Sequence, residues 1–171
     1  MTQDEVPGAS SAEDVAELGA FSICGPVTRP EGRLSTFADS SAVREIEVET
    51  PAGATIVSSA VYEGISASTR QTMIFSNLEQ GVEVCTRDSP IERGTNLVES
   101  MTPLDGLPDS ALGYTSRLSD KGTPEVVERV FAVVDGRVLV VGARHVGVDQ
   151  ETGVDIHELL SAAIEKVERE G

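Results

Sequence analysis

Ser66 lies in Gly64-Ile65-Ser66-Ala67-Ser68, which matches the Gly-x-Ser-x-Gly nucleophile elbow except for its last glycine and falls at a strand-to-helix junction. A serine acting there needs a base, and the chain holds only two histidines, His145 and His157. A helix cap explains a serine at this place with fewer requirements. A second cluster, His145, Asp149, Glu151, Asp155 and His157, joins two imidazoles to carboxylates, the donor chemistry of a divalent cation site. Its spacing fits no metal motif, and Asp155 and His157 fall in the first turn of a helix, where capping accounts for them. Arg129 and Arg144 fall on one face of a hairpin, where paired N–H donors could clamp a carboxylate or phosphate. Glu128 or another neighbouring carboxylate competes for them. Arg129, Arg144 and His145 therefore stand as candidate binding residues, with no catalytic residue and no metal ligand assigned. Dinucleotide and P-loop glycine patterns are absent, and no cofactor is expected.

Charge narrows the partners. Thirteen basic against 29 acidic side chains give a net charge of -16, a field that repels phosphate backbones and anionic lipid surfaces. Nucleic acid is not expected as a partner. With four Phe, two Tyr and no Trp, stacking platforms for bases or sugars are not expected either. No apolar run approaches the roughly 20 residues of a membrane helix. Cys24 and Cys85 are the only cysteines, too few for a zinc site without both histidines. They allow one disulfide, which would close a loop of about 60 residues and stabilise by about 2–4 kcal/mol, or two buried thiols.

The element that must position these residues is Val126 to Val146. Two β-branched runs flank Asp135-Gly136, a strong hairpin signal because a type I′ turn needs positive φ at both central residues. Pairing outward sets Val134 opposite Arg137, Val133 opposite Val138, Ala132 opposite Leu139 and Phe131 opposite Val140. Both faces are apolar near the turn, so other elements must cover both. Toward the open end the faces turn polar, with Glu128, Arg129, Arg144 and His145. Val154 to Glu170 supplies one cover. Its apolar residues Ile156, Leu159, Leu160, Ala163, Ile164 and Val167 form a helical stripe behind a capping box of Asp155 and Glu158.

The remaining spacing predicts a flexible tether over 1–11, a short helix from Ser11, and an irregular connection from Gly25 to about Ser41 that is either a binding loop or a structural wrap. Strands follow over Arg44 to Thr50 and Ala54 to Glu63, then a helix capped by Ser66 or Ser68 and ended by Gly81. Val82 to Thr86 is a strand, Pro90 to Gly94 a turn, and Leu97 to Thr102 and Ala111 to Leu118 are strands. The fold class expected is α+β, an antiparallel sheet of about six to seven strands with the middle and C-terminal helices packed on it. Residues 12–171 form a single domain.

An early Cys24, a helix around SASTRQTMIFSNL, Cys85 just after it, Leu107 to Tyr114, a valine-rich hairpin and an amphipathic C-terminal helix together resemble the extracytoplasmic sensor-type domains of actinobacterial receptor serine/threonine kinases and related small lipoproteins. The family often has a Trp before the second cysteine and an Arg-x-Gly-Asn type turn, where this chain has no Trp and Asp135-Gly136. The resemblance implies a Cys24–Cys85 disulfide and an exported, non-catalytic domain that binds an envelope ligand or protein. It would be extracellular or held at the cell envelope, with its signal segment removed. It carries over no ligand-contacting residues. The alternative from the charge is a cytoplasmic acidic antagonist, an immunity-type protein occupying a basic partner's cleft.

Overall fold

The computed structural model describes residues 9–14, 30–51, 53–80, 91–93, 96–120, 123–147 and 152–170. Their fold is α+β. The strands are β1 (Ala9–Asp14), β2 (Ser40–Thr50), β3 (Gly53–Glu63), β4 (Ile91–Arg93), β5 (Asn96–Pro103), β6 (Ala111–Asp120), β7 (Thr123–Val134) and β8 (Arg137–Val146). They form one sheet in the order β1-β2-β3-β8-β7-β6-β5-β4, every neighbouring pair antiparallel. The outermost strands β1 and β4 are short and flank a six-stranded body. Three helical segments accompany it, α1 (Pro30–Phe37), α2 (Ala67–Arg70) and α3 (Ile156–Glu170); α2 runs on through a π-helical turn, Gln71–Ser76, into helical residues 77–80.

The Asp-Gly pair sets the centre. Asp135 at φ 48° and Gly136 at φ 78° make the primed turn that matches strand twist, and the pairing runs outward in the expected register. Because successive side chains alternate, the hairpin feeds two cores. Phe131, Val138 and Val140 join Leu34 of α1 and Ile65 and Leu78 around α2 on one face. Val130, Ala132, Leu139 and Val141 join Ile156, Leu159, Leu160, Ala163 and Val167 of α3 on the other. The C-terminal helix is the expected lid, and its N-terminus is capped as expected: Asp155 Oδ1 accepts from His157 N at 2.9 Å and Glu158 N at 3.2 Å. Arg70 fastens α2 to the hairpin, donating through Nη1 to Ile65 O and to Gly136 O.

Several local expectations are corrected. Residues 11–14, expected to open a helix, belong to β1, and β1 begins at Ala9, inside the expected tether. Backbone pairing with β2, for example Ala12 to Ile46, outweighs the helical spacing of Ala12, Val15 and Leu18. The Gly25 to Ser41 connection contains α1, anchored by the fully buried Leu34 and started by Pro30, whose fixed φ suits a first helical position. Ile91 to Arg93, expected as a turn, pairs with β5. β2, which carries Glu45, Glu47 and Glu49, is not an edge strand, since β1 pairs outside it. Val82 to Thr86, Gly81, Cys24 and Cys85 lie outside the described residues.

Candidate functional site

The three candidate binding residues do not share a site. His145 is on the α3 face, 2% exposed, with the side chains of Arg129 and Arg144 on the opposite face. The Thr55 hydroxyl donates to Thr152 O at 2.7 Å, so its oxygen must accept from His145 Nδ1, 2.9 Å away, and Nδ1 carries a proton. The Thr152 hydroxyl in turn donates to Glu128 Oε2. This chain of bonds ties the segment entering α3 to β3, β7 and β8. It explains the histidine as a brace, sealed under Gly53, where an added Cβ would lie 3.3 Å from the ring.

On the other face Arg144 is engaged by Glu125, with Nε to Oε1 at 2.7 Å and Nη2 to Oε2 at 3.2 Å. The carboxylate expected to compete for this arginine is present, two residues along from the cross-strand partner, and it is Glu125 rather than Glu128. Arg129 is 0% exposed, opposite Tyr114 on β6 and Gly142 on β8. The missing side chain at Gly142 makes its room, since a Cβ there would meet Arg129 Nε at 3.2 Å. The open end of the hairpin, polar as expected, is nonetheless covered at both Arg129 and His145. A clamp for an external anion is not what these two arginines form.

Ser66 caps α2. Its Oγ accepts from Thr69 N at 3.2 Å and meets the hydroxyls of Thr69 and Ser68 at 2.8 and 3.1 Å. Ser66 neighbours the hairpin turn, whereas His145 lies at the far end of β8, about 25 Å along the strand. The serine and that histidine are not a nucleophile and its base. Asp149 and Glu151 lie outside the described residues, and among the described residues no three His, Cys, Asp or Glu side chains gather as a metal site.

An open concavity lies elsewhere, on the α3 face. α3 lies over β7 and β8 and packs against Ile46, Val48 and Val57 toward its N-terminal end. Toward its C-terminal end several of the side chains are small, Ser40, Ala42 and Ser59 on the strands and Ala163 on the helix. Two adjoining hollows of about 230 and 300 Å³ result, sharing Ala42, Val61 and Val167. Leu139 and Ala163 complete the apolar floor. Arg44 and Lys166 line one hollow, and Arg137 and Glu63 line the other.

Arg137 closes the far end. Its Nε donates to Glu63 Oε1 at 2.8 Å and its Nη1 to Val167 O at 3.3 Å, while Ser40 Oγ donates to Glu63 Oε2 at 2.9 Å. Glu63 is thus neutralised within the rim. Arg44, Lys166, Arg137 and Glu63 edge an otherwise largely apolar groove.

No protein-family model matches the chain, and no curated protein matches it in sequence. The groove therefore rests on its own geometry. Its residues are invisible as a set in the sequence because Ala42, Ser59 and Ala163 carry no chemistry of their own. The one available signal is Lys166, one of only two lysines in the chain, on the flank of the α3 stripe.

Proposed function

We propose that this chain is a non-catalytic binding or sensor-type module, a secreted protein or lipoprotein of the cell envelope, and that its ligand sits in the groove between α3 and β2–β3. The observation that carries the reading is the groove itself: an apolar floor left open by small side chains and edged by Arg44, Lys166 and Arg137. Apolar concavities with a few placed polar groups are the usual form of a small-molecule site. The antiparallel α+β sheet with a C-terminal helical lid supports the resemblance to extracytoplasmic sensor-type domains.

Ala42→Leu tests the groove, because Ala42 is exposed, lines both hollows and supports no core contact. In saturation-transfer NMR against a small-molecule extract of the source cells, the parent chain is expected to give signals that Ala42→Leu loses. The bound compounds should be recovered chemically unchanged. Identical spectra from the two chains, or conversion of the compounds, defeat the reading. Location has a separate test: protein from its native compartment, denatured without reductant, should titrate no thiol, and two titratable thiols would favour a cytoplasmic protein.

A further inference from the structure

Resting on the groove as the binding site, we infer that its ligand is an uncharged aliphatic alcohol, a single chain whose tail lies on the Ala42, Val61 and Val167 floor and whose hydroxyl lies toward Ser40. Three observations set this class. The two hollows share that apolar floor, so one molecule reaches across both and the part it buries is hydrocarbon. The charges at the edge are already engaged within the chain. Arg137 is held by Glu63 and by Val167 O, Asp14 stands opposite Arg44 in the β1–β2 register, and Arg44 and Lys166 each have an interaction partner of their own. A charged ligand would have to break one of these contacts or be stripped of water with no partner, whereas an uncharged one leaves them in place. Ser40 then decides the polar end. Its Oγ, at the hollow that Arg137 closes, donates its proton to Glu63 Oε2 at 2.9 Å, so toward a ligand that oxygen can only accept. The group that meets it must carry a proton; a hydroxyl is the smallest uncharged group that does, and an ether, an ester or a ketone does not. Ser40 shares its end of the groove with the Arg137 bridge, which fixes the orientation: the hydroxyl at that end, the tail toward Leu139 and Ala163.

The experiment is an amide chemical-shift titration of the full chain with four probes: 1-octanol, its isomer heptyl methyl ether, octanoate and octyltrimethylammonium. 1-Octanol should give saturable shifts centred on Ser40, Ala42, Val61 and Val167. The ether, with the same atoms but no proton to donate, should bind there about fivefold more weakly, the size of effect expected of one lost hydrogen bond. Octanoate and the ammonium should each bind at least about tenfold more weakly than 1-octanol. Ser40→Ala should bring 1-octanol down to the affinity of the ether while leaving the ether unchanged, which also shows that the variant is folded. Binding of octanoate or the ammonium as tight as that of 1-octanol overturns the uncharged class, and equal binding of 1-octanol and the ether overturns the alcohol; either leaves the groove as a site for another ligand. Absence of groove shifts with all four probes overturns both this inference and the binding reading beneath it.

Discussion

Phe131→Ala is expected to lower the unfolding free energy by about 3–5 kcal/mol, a large share of the roughly 5–15 kcal/mol that holds a domain together. Phe131 is fully buried on the α1 and α2 face of β7, paired across the sheet with Val140 on one side and Leu112 on the other. Leu34 and Leu78 belong to the same core, so the ring's loss opens a cavity where two helices meet the sheet. Val146→Ser is the control. Val146 is 45% exposed at the end of β8, and its replacement should fall within about 0.5 kcal/mol of the parent. Urea unfolding measures both through the midpoint, with the slope unchanged if the unfolded state is unaltered. If Phe131→Ala cost no more than Val146→Ser, the hairpin would not be covered on that face, and the two-core architecture would be wrong.

The hairpin and α3 were legible because their signals are local. Asp135-Gly136 fixes a turn, the turn fixes a register, and the register fixes which valines share a face. The stripe from Ile156 to Val167 and the Asp155 cap define a helix without reference to anything distant. What the sequence hid was long-range. β1 is a strand because β2 offers it a row of backbone partners, and the helical spacing of the same residues could not reveal that offer. Glu125, not Glu128, takes Arg144 because alternation puts Glu128 on the α3 face, where Thr152 reaches it. Arg129 and His145 read only as the polar end of a ribbon, yet both are buried, His145 beneath Gly53 and the Thr152 segment and Arg129 in the room left between Tyr114 and Gly142. The groove depends on the gap between α3, which lies over β7 and β8, and the neighbouring β2 and β3. That gap is set by bulk at Ile46, Val48 and Val57 against smallness at Ala42 and Ser59, and becomes visible only when the strands are in register.

Gly64→Ala is expected to destabilise by about 2–4 kcal/mol, combining the cost of a side chain at positive φ with that of a forced displacement. Gly64 follows the last residue of β3 at φ +80°, a conformation that turns the chain toward Ile65 and the Ser66 cap. A Cβ built there would lie 2.2 Å from Asp39 Oδ2, 2.4 Å from its Cγ and 2.7 Å from its Cβ. The aspartate cannot easily swing clear, because its own amide donates to Glu63 O at 2.9 Å and holds it at the mouth of the β2–β3 ladder. Asp39→Gly separates the two causes. In that background Gly64→Ala should retain the backbone part of its cost and lose the steric part, giving a coupling of about 1–2 kcal/mol in a double-mutant cycle. An unchanged cost would remove the steric account, and a harmless Gly64→Ala in the parent would remove both. The adjacent Glu63 links this turn to the groove, since its carboxylate joins Ser40 to Arg137 at the closed end. Gly64→Ala should therefore disturb the closed end of the groove as well as the fold, even though Gly64 does not line the groove.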